Sequence, residues 1–332
     1  MQPDIQVFRG PRVESAHEVA ICIANDKGEL VLKHGDVAQK AYPRSAVKIM
    51  QAMPLISSGA ADRFKLDEKM LALACASHSG EPEHAEVARA MLERGGLSEA
   101  DLMCGVHWPT HKSSAYALAG LGRSASALHN NCSGKHAGFL LYAKHKGYPT
   151  KDYVAPDHPV QRDLRALLED LLAEKLQPDA SAIDGCSIPT YAFSLSSMAR
   201  GFAKLPKESA AQRLLSACAA QPFYTAGAGR FDTGVMEIFG ARAYVKTGAE
   251  GVYIGVLPEL KLGFALKCLD GATRAAECVT ANIIDALLPM SDGERTQLAP
   301  LCTPVLKNWR GVEVGMIGLA KELHKVLSKI RP

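Results

Sequence analysis

The stretch AYVKTGAEGVYIGVLPELKLGFALKC, residues 243–268, decides the fold. It holds three short β-rich runs, at 243–246, 251–257 and 262–268, separated by Gly and Pro breaks too short for a crossover helix. They predict an antiparallel meander. Working outward, residues 18–34 (EVAICIANDKGELVLKH) read as a hairpin, with Asn25-Asp26-Lys27-Gly28 as its turn. Between these lie helical patterns at 43–56, 67–76, 83–94, 134–146, 159–175 and 194–204, and residues 227–234 read as a glycine-rich connection. A helix at about 272–288 and one more close the chain. Strands at both ends and helices in the middle give an α+β order. Its N- and C-terminal strands join one antiparallel sheet packed with helices. The expected organisation is a single chain with a sheet subdomain at about 1–60 and 220–332 and a helical subdomain at about 61–219.

Composition bounds the rest. The chain has 332 residues, 47% hydrophobic and 22% charged, which is too apolar for disorder. Lys and Arg number 38 against 35 Asp and Glu, with no block of like charge, so no nucleic-acid surface is expected. Nine cysteines, an odd number without a CxxC pair, do not make a secreted disulfide framework. A cytoplasmic setting fits better. The start, MQPDIQVFRGPRVES, lacks the apolar core of a signal peptide, and no run of 18 apolar residues would span a membrane.

Four groups of residues could carry chemistry. Ser45-Ala46-Val47-Lys48 is an S-x-x-K at a predicted helix start. Residues three apart share a helix face, so hydroxyl and amine can meet, and a neutral Lys can act as base. Lys246-Thr247-Gly248 follows a predicted strand. A K-T-G on a strand downstream of an S-x-x-K is the arrangement of serine β-lactamases and penicillin-binding proteins. There a second cation keeps the first lysine neutral, and Gly248 would let substrate lie against the strand. The S-D-N and E-x-x-L-N elements of lactamases are absent. Ser77-His78-Ser79-Gly80-Glu81-Pro82 places hydroxyls, an imidazole and a carboxylate on one loop. Finally, Cys132 and Cys186 could supply two thiolates to a soft or borderline cation, with His136, four residues on from Cys132, as the third ligand that spacing nominates. Two inert buried cysteines are the competing reading.

Taken together, Tyr42-Pro43-Arg44-Ser45-Ala46-Val47-Lys48, Ala76-Ser77-His78-Ser79-Gly80-Glu81, Asn130-Asn131-Cys132-Ser133-Gly134-Lys135-His136 and Ile183-Asp184-Gly185-Cys186 resemble the Rhizobium etli-type L-asparaginases, the third structural class of these enzymes. The resemblance runs from about residue 5 to residue 325. It implies hydrolysis of L-asparagine to L-aspartate and ammonia, a fold similar to serine β-lactamases and bacterial glutaminases, and a homodimer. It implies a Ser45–Lys48 pair and a Ser77–Lys246 pair at the catalytic centre. It also implies Zn2+ held by Cys132, Lys135 and Cys186, replacing His136, and not essential for attack. Asp184 would then stand behind the metal or contact substrate, and Arg44 is a candidate for the substrate α-carboxylate. Two other functions compete: a serine acyl-enzyme acting on β-lactams or glutamine, and a non-catalytic zinc-binding protein of this fold.

The expected mechanism has Ser45 attack after giving its proton to Lys48. A lysine is a base only when neutral, and its ordinary pKa is about 10.4. Burial and a second lysine both disfavour the charged form. The rising limb of kcat/KM should therefore fall between about pH 7 and 9, with more activity at pH 9 than at pH 7. A profile governed by a group near pKa 6.5 would point instead to His78 or His136.

Overall fold

The computed structural model describes residues 3–330, apart from the side chain of Pro178. The chain divides into two compact units. One comprises residues 1–46, 193–204 and 238–332, the other residues 47–192 and 205–237.

The first unit is built on a five-stranded antiparallel sheet. Its order is Leu30–His34, Val19–Asn25, Leu262–Cys268, Val252–Leu257, Tyr244–Thr247. The meander and the N-terminal hairpin expected from the sequence thus share one sheet, with Val19 opposite Cys268 and Asn25 opposite Leu262. Val19–Asn25 and Val252–Leu257 are buried along nearly their whole length, so both faces of these strands are covered. Helices Leu195–Lys204 and Thr273–Leu287 pack against the sheet. A Cβ on Gly263 would lie 2.2 Å from the Ala203 nitrogen and 2.7 Å from the Ala199 carbonyl oxygen, so only glycine lets that helix sit so close. This contact explains why Leu195–Lys204, expected in the helical subdomain, belongs to the sheet unit.

A second antiparallel sheet ties the chain ends together in the order Val305–Lys307, Glu313–Leu319, Ile5–Arg9, Arg12–His17. The sequence did not announce these strands. Arg12–His17 is mostly exposed and Glu313–Leu319 mostly half-buried, so neither shows a clean alternation of apolar residues. Beyond the last central strand the chain turns at Asp270. Its carboxylate accepts His17 Nδ1–H at 2.6 Å, the Cys268 thiol at 3.1 Å and the Ala272 N–H at 3.0 Å. Arg274 Nε donates to His17 Nε2 at 3.3 Å, which leaves the ring proton on Nδ1.

The second unit is helical. Helix Lys48–Ser57, expected as part of a sheet-side helix over 43–56, instead packs among Ser133–Lys146, Ser209–Ala220 and Pro159–Leu171. Glu68–Ala74 starts at Asp67, whose carboxylate accepts the Met70 N–H at 3.0 Å. Pro82–Arg94 begins with proline in its first turn. Ser133–Lys146 is buried from Ser133 through Ala143. The sequence missed Lys112–Gly120, which buries no residue and so carries no amphipathic signal. It also missed Ser209–Ala220, and took 227–234 as connection where Phe231–Phe239 is already helical. No helix among the described residues is long and apolar enough to cross a membrane.

Burial alone would raise the Asp270 pKa, but the donors from His17, Cys268 and Ala272 outweigh it and hold it at about 2, below its ordinary 3.8. A depressed carboxylate stabilises the fold above its unfolded pKa and loses that contribution as pH falls toward the folded one. The melting-point advantage of the wild type over Asp270→Asn should therefore be full at pH 5 and shrink as pH falls from about 4 toward about 2. Thermal melts of the two proteins at pH 5 and pH 3 check this, and a gap that widens in acid would contradict it.

Candidate active site

Each unit carries its own share of the residues that the motifs single out. In the first, Ser45 lies half-buried on a 3-10 turn, Arg44–Val47, rather than inside an α-helix. The preceding Arg44 has φ 51, a left-handed conformation costly for a side chain of its size. The Ala46 N–H closes the turn onto the Pro43 carbonyl at 3.0 Å. Lys246 stands in strand Tyr244–Thr247 opposite Ile254, fully buried. A Cβ on Gly248 would come within 2.4 Å of the Pro43 carbonyl oxygen. The glycine of the K-T-G lets its strand end meet the segment that leads into Arg44 and Ser45. The Gly248 N–H is also engaged, donating to the Val252 carbonyl at 2.7 Å.

In the second unit, Lys48 opens helix Lys48–Ser57 with no solvent exposure. Its Nζ donates to the Ala76 carbonyl at 2.5 Å, to Ser77 Oγ at 2.9 Å and to the Asn131 carbonyl at 3.4 Å. The Ser77 N–H in turn donates to the Thr225 carbonyl at 3.2 Å. Lys48 thus touches Ser77 directly, a pairing that the motif spacing did not indicate. On the same loop the Ser79 hydroxyl donates to Glu81 Oε2 at 2.5 Å, and Glu81 Oε1 accepts the Ala228 N–H at 3.2 Å. His78 is buried, and so is His84, which the sequence reading passed over. The only signal for His84 was its place one turn into the helix that follows the loop.

Cys132, Lys135 and Cys186 come together in the same unit, all buried. Lys135, in the first turn of helix Ser133–Lys146, donates from Nζ to Cys186 Sγ at 3.0 Å. A hydrogen bond with Cys186 carries the Cys132 thiol well below its ordinary pKa of 9.0, against burial and aided by the charges of Lys135 and Lys48. Burial pulls Lys135 down, but Cys132, Cys186 and Asp184 outweigh it and favour its ammonium form. Asp184 Oδ2 lies 3.9 Å from Cys186 Sγ, while its Oδ1 accepts the Gly185 N–H at 2.8 Å.

Two sulfurs and a nitrogen converging in this way suit a soft or borderline cation. Lys135 could join the two thiolates around such a cation only once it gives up its proton. His136 does not join them. Among the described residues, the one His, Cys or carboxylate trio with ligand atoms within 4.8 Å of one another is His17, Cys268 and Asp270. The reason is local. Cys132 is the N-cap and its carbonyl accepts the His136 N–H at 3.0 Å, so the helical register is kept, but the imidazole is taken up by another partner. His136 Nδ1 instead shares a hydrogen bond with the Tyr153 hydroxyl at 2.7 Å.

Comparison with known proteins places the chain. It is similar to a solved β-lactamase of Mycobacterium bovis at 16% identity and a TM-score of 0.33, over 75% of this chain and 86% of that one. It is also similar to Mglu, solved in its native form in 4.3 M NaCl, at 15% identity and a TM-score of 0.33, over 75% of this chain and 55% of that one. No curated protein matches the sequence. The sequence pattern of L-asparaginase II matches residues 5–319, nearly the whole chain and the span over which the four motifs carry their resemblance. The chain therefore belongs to the L-asparaginase II family and is an L-asparagine amidohydrolase.

Proposed function

We propose that the enzyme cleaves the side-chain amide of L-asparagine through a serine nucleophile activated by a neutral lysine. The observation that carries this reading is the hydrogen bond of Lys48 Nζ to Ser77 Oγ at 2.9 Å, made without access to solvent. A buried amine beside a hydroxyl is the pairing that proton transfer needs. Ser45 is the nucleophile. It is half-buried, whereas Ser77 is 5% exposed, and Ser77, bonded to Lys48, serves as the proton relay. The Ser45 hydroxyl transfers its proton to Lys48 as Oγ attacks the amide carbon. Backbone N–H groups hold the oxyanion that forms. Since the Gly248 N–H is engaged, those of Ser45 and Ala249 are the candidates. Collapse expels ammonia with a proton from Lys48, relayed through Ser77, and leaves an acyl-enzyme. Water, deprotonated by the same lysine, then releases aspartate. Lys246 supplies a second positive charge, and Arg44 and Asp184 recognise the α-carboxylate and α-amino groups of the substrate.

Zinc would be held by Cys132, Lys135 and Cys186, where it would supply positive charge that polarises and orients a bound polar group. Attack does not need a metal-bound water when a serine and its base are present.

Ser45→Ala should lower kcat by several powers of ten while the protein stays folded, since Ser45 is only half-buried and does not cap helix Lys48–Ser57, whose N-cap is Val47. Ammonia release from asparagine and glutamine, and the colour change of a chromogenic β-lactam, measure this. A variant retaining more than about a tenth of the wild-type rate would transfer the nucleophile role to Ser77. Chelator-treated enzyme should lose zinc, counted by elemental analysis, yet keep measurable turnover with a raised KM. Complete loss that added zinc restores would make the metal essential and overturn its auxiliary role.

A further inference from the structure

We infer that His78 is a positioning residue for the catalytic centre, holding the Ser77 loop in register with the start of helix Ser133–Lys146. The inference rests on the Ser–Lys reading above. The hydrogen bonds of the ring are fully specified. Its Nδ1 accepts the Gly80 N–H at 3.2 Å, so the proton sits on Nε2, which donates to Ser133 Oγ at 2.9 Å. The ring is 1% exposed and stacks on His84 at 4.8 Å with an 18° interplanar angle. His84 stacks in turn on Phe223 at 4.5 Å and 14°. Burial, together with His84, Lys48, His107 and His129 around it, keeps the imidazole neutral. With both nitrogens engaged, His78 is not placed to serve as the reaction's base.

What it does follows from the segments it joins. Lys48 binds Ala76 and Ser77 on one segment and Asn131 on another. His78, next to Ser77, reaches Ser133, two residues beyond Asn131. The loop that carries Ser77 and the stretch that carries Cys132 and Lys135 are therefore clamped twice. One clamp is a reacting group. When Lys48 gains or loses a proton, its donor count changes and its hydrogen bonds must rearrange. The other clamp has no such duty, and it preserves the alignment of Ser77 Oγ with Lys48 while the lysine cycles. Outer groups of this kind commonly affect activity by about 10–100-fold.

Three variants test this. His78→Leu keeps bulk but neither hydrogen bond, His78→Gln keeps an amide donor and acceptor, and Ser133→Ala removes the acceptor. Assayed well below their melting points, His78→Leu should lose about 10–100-fold in kcat with KM nearly unchanged. His78→Gln should recover most of that loss, and Ser133→Ala should reproduce part of it. Wild-type kcat in His78→Leu, a change confined to KM, or equal losses in the Leu and Gln variants with Ser133→Ala unaffected would each reduce the ring to packing and overturn the inference. Should His78→Leu fail to fold, the Gln and Ser133 variants still decide. Ser45→Ala is assayed alongside. Activity in that variant strikes Ser45 as the nucleophile and leaves Ser77 in that role, whereas an inactive Ser45→Ala beside a fully active His78→Leu strikes only the positioning role.

Discussion

A lysine amine with no access to water must be given acceptors, and much of the helical unit is arranged around that requirement. An isolated buried ammonium is so costly that it gives up its proton instead. Lys48 therefore sits where two carbonyls and one hydroxyl converge on it, from residues 76, 77 and 131. None of these acceptors lies near Lys48 in sequence. The loops that present them are fixed in turn by the Ser77 contact to Thr225 and by the bonds of Glu81 to Ser79 and Ala228. The same arrangement that satisfies the amine delivers a serine hydroxyl to it, so the contacts that offset its burial are also those the proposed proton transfer would use.

The thiol cluster obeys the same rule with signs reversed. A thiolate on Cys132 is tolerable in the interior because Cys186 donates to it and Lys135 stands beside the pair. Such a set of groups is poised to exchange its protons for a cation, since both thiols and the amine must be deprotonated to bind one. Paired buried charges are costly to leave half-made. This is the physical reason for the close packing of the first turn of helix Ser133–Lys146, whose residues Ser133 and His136 have no exposure.

How far the sequence could be read varied with the kind of signal. The strands at 19–25, 252–257 and 262–268 were visible because they are β-rich runs bounded by Gly, Pro and Asn-Asp turns. The helices at 82–94 and 133–146 were visible for their length and their first turns. The sheet that joins the chain ends was not, because its strands bury too little to leave a pattern. Of the candidate site, Ser45, Lys48, Ser77 and Lys246 were legible as motifs. The third partner of the two cysteines was not legible from spacing. The helical rule favours His136, but its imidazole is engaged by Tyr153, while Lys135 reaches Cys186.

The sequence by itself determined the α+β order, the two lysine motifs, and the residue types that an amide hydrolase of this kind requires. These rest on local properties such as turn chemistry, strand composition and spacing within a single element. The tertiary structure alone decided that Lys48 meets Ser77, that Gly248 makes room for the Pro43 carbonyl, and that His78 reaches Ser133. Each of these joins residues between 29 and 205 positions apart. Such encounters follow from burying apolar surface while leaving no polar group without a partner, a constraint on the whole chain that no local pattern encodes.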